Sequence, residues 1–144
     1  MIDPDLFVAS LWEALPVVIA TILVTAALEL TCIPTVKQVW KQKGGKQLYL
    51  SAIWVNFFNL FVLGLPFYAS SVQLFASDRE SFLWWRSLGV LLMHSAQYYT
   101  VHKSFHQSKF LYQFHSFHHK FKLHTPPVSA NAVSFVEYML AYIL

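Results

Sequence analysis

The apolar residues of this chain gather in long blocks with few polar interruptions, unlike the narrow periodic stripe of a water-facing helix. The first block, Leu11 to Ile33, reads LWEALPVVIATILVTAALELTCI and is long enough for a helix across a hydrocarbon core of about 30 Å. The second, Leu50 to Phe75, reads LSAIWVNFFNLFVLGLPFYASSVQLF and predicts another span, with Gly64 and Pro66 as the place for a kink. The third, Phe82 to Val101, reads FLWWRSLGVLLMHSAQYYTV. Its Trp84 and Trp85 suit an interfacial aromatic belt, and Arg86 can snorkel to the same interface. A last stretch over 133–144, VSFVEYMLAYIL, is too short to cross alone and reads as the start of a fourth membrane segment. The pattern predicts an all-α integral membrane bundle with about three transmembrane helices, organised as one domain over 1–144.

Composition sharpens this. Of the 144 residues, 56% are hydrophobic and only 12% charged, far from the balance of a soluble globular domain. The net charge of +3 does not indicate nucleic acid, because the lysines flank apolar blocks and build no basic face interleaved with aromatics. Cys32 is the single cysteine, so neither a disulfide framework nor a cysteine-based metal site is expected. The acidic start MIDPDLF, with no small-residue cleavage pattern between Leu28 and Thr35, marks the first block as a retained span and not a signal peptide. Lys37, Lys41, Lys43 and Lys46 occupy the first loop without an acid, whereas Asp3, Asp5 and Glu13 lie before or at the very start of the first span and Asp78, Arg79 and Glu80 fill the second loop. The positive-inside rule then puts the first loop in the cytosol and the N-terminus on the lumenal side, and three spans return the chain to the cytosol just before His102.

There the chemistry begins. His102, His106, His115, His118 and His119 fall within eighteen residues. The first two, spaced i, i+4, share one helical face, and the last three, spaced i, i+3, i+4, share another. At about 100° per residue, one uninterrupted helix would point the two sets in nearly opposite directions. A break at Gln107-Ser108-Lys109 solves this, with Ser108 as N-cap of a second helix running to about Phe121. Two cytosolic helices side by side would then aim all five rings inward, with Phe105, Phe110, Phe114 and Phe117 supplying packing or membrane contact. Five uncoordinated imidazoles, each titrating near pH 6.5, are costly to crowd together, which favours a metal over a solvated basic surface. Imidazole suits Fe, Zn, Cu and Ni alike. The zincin pattern HExxH is absent, and five rings exceed the three or four protein ligands of a usual zinc site, which favours two ions.

HKSFH followed by HSFHH, an HxxxH box and an HxxHH box after hydrophobic spans, resembles the fatty acid hydroxylase and sterol desaturase superfamily of membrane-bound di-iron enzymes. QYYTVHKSFH is similar to the family's approach to its first box, and HHKFKLHTPPVSANAVSFVE to the stretch after the second box in the sterol desaturase branch. The resemblance covers Gln97 to Glu137 closely and the spans more loosely. It implies two iron ions, O2 as co-substrate, and electrons from NAD(P)H through a reductase and a cytochrome b-type haem carrier. The implied reaction is hydroxylation or desaturation of a lipid alkyl chain (a sterol, sphingoid base or fatty acyl group) in lipid biosynthesis, at the endoplasmic reticulum. By the same resemblance His102, His106, His115, His118 and His119 are metal ligands, and Glu137 has a supporting role behind them. Lys103 stands where the family usually has Arg, Ser95 near where an acid is common, and Asn131 and Ser134 where the sterol branch has two histidines. The family's downstream HxxHH box is not within the 144 residues, so a C-terminally incomplete member is expected.

Two further histidines are secondary candidates for metal contact: His94, within the third block and about 80° around the helix from His102, and His124, in LHTPP. Glu29, Asn56 and Asn59 are expected to pair between helices, and Tyr98 and Tyr99 to pack near the interface. Two other functions fit the same residues. One is a non-catalytic relative that binds lipid or a partner, alone or in a homo- or hetero-oligomer; the other is a histidine-rich metal-binding or transport protein of the membrane.

Overall fold

The computed structural model describes residues 3–75 and 84–143. Asp78, Arg79 and Glu80 lie outside the described residues, as do the side chains of Trp84 and Arg86. The described chain is all-α: α1 (Pro4–Thr31), α2 (Ile33–Lys41), α3 (Gly45–Phe57), a π-helical stretch (Phe58–Gly64), α4 (Leu65–Phe75), α5 (Trp84–Gln107) and α6 (Lys109–His115). A 3-10 turn (His118–Lys120), α7 (Pro127–Ala130), α8 (Phe135–Tyr138) and a second π stretch (Met139–Ile143) complete it. Two helices are long and apolar enough to cross a membrane, α1 and the continuous helix Gly45–Gln73; α5 does not reach that level among the described residues.

α1 starts ahead of its apolar block because the sequence caps it there. The Asp3 carboxylate accepts from the backbone N–H of Asp5 and Leu6, and Pro4 fills the first helical turn, where its missing N–H costs nothing. The expected lysine loop contracts to three residues, since Lys37 and Lys41 are part of α2. Gly44 makes the tight reversal at φ 75°, and a Cβ on Gly45 would collide with the Val39 carbonyl oxygen. The chain then runs back along α1. Asp3 and Gln73 exchange hydrogen bonds at one end, and Tyr49 donates to Glu29 at 2.8 Å at the other, so the two long helices form an antiparallel hairpin.

Gly64 and Pro66 act differently from the expected kink. Pro66 lacks an N–H and its ring crowds the carbonyl four residues back, and the helix answers by widening into π geometry just upstream, where Leu65 donates to the Leu60 carbonyl. Gly64 lets Tyr138 approach: a Cβ there would meet its hydroxyl at 2.8 Å.

After the histidines the chain folds back onto the hairpin. Val39, Tyr49, Ala52, Phe121, Val128 and Ala132 form a buried cluster, and α7 packs against both α1 and α3. This return segment is tied down by the polar residues of the long helices. Glu29 accepts from the Val128 N–H, Asn56 donates to the Val128 carbonyl at 2.8 Å, and Asn59 donates to the Val133 carbonyl at 3.0 Å. α8 then packs against α6, and the final π stretch against α5.

Asn59→Leu keeps the branched shape but leaves the Val133 carbonyl without its donor. We expect it to destabilise the chain by about 1–3 kcal/mol, read as a lowered Tm in detergent, whereas Gln73→Ala at the exposed end should change stability by less than about 0.5 kcal/mol.

Candidate metal centre

Two devices bring the five imidazoles together. α5 ends at Gln107, and Ser108, in extended conformation with its hydroxyl accepting from the Leu111 N–H at 3.3 Å, starts α6 in a new direction. α6 is shorter than expected: it ends at His115, and the chain tightens into the 3-10 turn at His118–Lys120 instead of continuing to Phe121. That tightening swings His118 and His119 towards the rings on α5. Phe105 is buried beside His115, with ring centroids 5.6 Å apart, while Phe110 stays largely exposed.

The ring nitrogens face one another. His106 Nε2 lies 3.3 Å from His102 Nε2, His115 Nε2 lies 3.0 Å from His106 Nε2, and His119 Nε2 lies 3.0 Å from His115 Nε2. His118 packs at 4.4 Å from both His115 and His119 by ring centroids. Two overlapping triads result, His102–His106–His115 and His115–His118–His119. Ligands about 2.0–2.1 Å from one metal, at angles between 90° and tetrahedral, sit about 2.9–3.4 Å apart, so the nitrogen spacing fits a shared ion. A sp² nitrogen has one lone pair, and His115 Nε2 stands equally close to two neighbours, which hydrogen bonding between rings serves poorly. The donor set therefore fits a metal such as Fe, Zn, Cu or Ni.

Glu137 completes the arrangement from the far side. Its Oε1 lies 2.7 Å from His115 Nδ1, both residues being almost fully buried, while Glu137 Oε2, His102 Nδ1 and His118 Nδ1 are buried without a hydrogen-bond partner. Ser134 accepts from the Glu137 N–H and caps α8, which fixes the carboxylate's position. Burial, then the neighbouring rings, holds His115 down to about 3 and His118 to about 4, and lowers His102 and His119. These four rings are neutral near pH 7, the form that binds metal. A cation at His115 Nε2 favours the tautomer whose Nδ1–H donates to an ionised Glu137.

His94 and His124 lie outside both triads. His94 is two turns of α5, about 12 Å, before His102, and His124 sits on the loop leading to α7. Sequence reasoning passed over Tyr112, whose ring stacks on His119 at 5.8 Å, and gave Tyr98 an interfacial role, whereas it stacks on His102 at 5.4 Å. Their spacings, four residues before His102 and three before His115, were the available signal. Two cavities stand out, and only the second is lined by histidines of the cluster. One, about 610 Å³, lies between α1 and α3 and extends to Val133 and Tyr138; the other, about 520 Å³, is lined by His118 and His119 together with Cys32, Lys122 and Thr125. Comparison with family models, curated proteins and solved structures returned no match.

Losing the partner of a ligating histidine typically weakens metal binding by about 10–100-fold. We expect that loss for Glu137→Ala and a smaller one for Glu137→Gln, which retains an acceptor oxygen, in competition titrations of the detergent-purified chain against a chromophoric chelator.

Proposed function

We propose that this chain is a membrane-embedded metal oxidoreductase that uses iron and O2 to hydroxylate or desaturate a lipid alkyl chain. The observation that carries this reading is the convergence of five imidazoles, four of them with ring nitrogens 3.0–3.3 Å apart in succession, backed by the buried Glu137. Bound iron would supply the activation of O2, with electrons delivered by a separate haem protein. The chain's own residues orient the ligands, hold the His115 tautomer through Glu137 and keep water from the buried side.

Membrane residence is supported by the surface of the long helices. Trp12, Val17, Leu23 and Leu30 of α1 are all exposed by 63% or more, and Val90, Leu91, Leu92 and Met93 of α5 by 60% or more, far beyond the apolar patches of soluble monomers. On this reading α5 is a third span, the lysines of the α2–α3 region support a cytosolic side for the histidines, and the family resemblance supports an endoplasmic reticulum address. A lipid substrate is supported by the cavity between α1 and α3. Around it Thr21, Thr25 and Asn56 hydrogen-bond to protein carbonyls and Tyr49 to Glu29, which leaves an apolar lining suited to a hydrocarbon chain. Tyr138, beside Glu137 in the chain, reaches the same cavity.

The test is elemental analysis of the detergent-purified chain, followed by O2 consumption with a reductant and long-chain lipids, products being read by mass spectrometry. Iron retention and an oxygenated or desaturated product, both reduced at least about 100-fold in His106→Ala, are expected. Zinc uptake with no O2 consumption, and metal transport into liposomes, would assign the centre to metal handling instead.

A further inference from the structure

Two ions are what five histidines suggest, yet the rings do not offer two complete ligand sets. His115 belongs to both triads. Its Nδ1 is committed to Glu137 at 2.7 Å, so one lone pair, on Nε2, remains for a metal. That nitrogen stands 3.0 Å from His106 Nε2 on one side and 3.0 Å from His119 Nε2 on the other. Whichever ion takes it, the opposite site keeps two imidazoles, fewer than the three protein ligands at which metal sites ordinarily hold.

The two sides differ in rigidity. His102 and His106 occupy the last turns of the 24-residue α5, with Tyr98 stacked on His102 and the buried Phe105 against His115. His118 and His119 belong to a three-residue 3-10 turn and face the 520 Å³ cavity. We infer that the chain holds one divalent ion tightly, on His102, His106 and His115, and that the His118–His119 pair is an open half-site that retains a second ion only with ligands added to it. This inference rests on the metal-centre reading and deepens it.

Cobalt(II) is a suitable probe because its visible spectrum reports ligand number. The full chain in detergent is loaded with excess Co(II), desalted and measured for metal per chain, with circular dichroism and elution position verifying the fold. The expected result is about one ion per chain, retained in His118→Ala and lost in His102→Ala; His106→Asn, also expected to lose it, serves if His102→Ala does not fold. Two tightly held ions per chain would overturn the inference while leaving the metal centre standing. One ion that survives His102→Ala and His106→Asn but not His118→Ala would overturn the assignment to α5. No retained ion in a folded chain would overturn both the inference and the metal-centre reading.

Discussion

The segment that closes this structure must satisfy its backbone inside an apolar helix hairpin. Residues 126–133 lie against α1 and α3, where an unpaired peptide group costs about 1–3 kcal/mol, so their hydrogen bonds have to come from those helices. Glu29, Asn56 and Asn59 supply them, each reaching a backbone group of Val128 or Val133. Everything beyond follows from that anchorage. Val133 leads directly into the Ser134 cap, α8 and Glu137, so the hairpin's polar residues decide where the carboxylate meets His115.

Pro66 has a comparable reach. The π stretch it induces contains Asn59, which is buried and turned towards Val133, and the adjoining Gly64 makes room for Tyr138. A feature that in the sequence marks a weakened helix thus becomes the seat of the return segment.

The histidine cluster is a problem of charge as much as of geometry. Five rings packed at centroid distances between 4.4 and 6.1 Å cannot all carry protons, and burial pushes the deepest of them well below the ordinary histidine range. Neutral rings with opposed lone pairs are in turn unsettled until a cation lies between them. Glu137, 2.7 Å from Nδ1 of His115, orients that ring, and would supply a compensating charge were a cation bound at Nε2.

The sequence alone determined what depends on local spacing. The apolar blocks mark the two long helices, the i, i+4 and i, i+3, i+4 registers mark two ligand sets, and the need to join them marks Ser108 as the break. Glu137 was singled out through resemblance, with no contact attached. Tertiary structure alone decided the contacts that no periodicity encodes: Glu137 with His115 across 22 positions, Asn56 and Asn59 with the return segment across 72 and 74, and Glu29 with Val128 across 99. It also decided that the second helix stops at His115 and that this ring joins His102 and His106 in one triad and His118 and His119 in the other. Helical registers follow from a fixed rise and rotation per residue, whereas these pairings depend on which buried polar groups find one another once the chain has folded back.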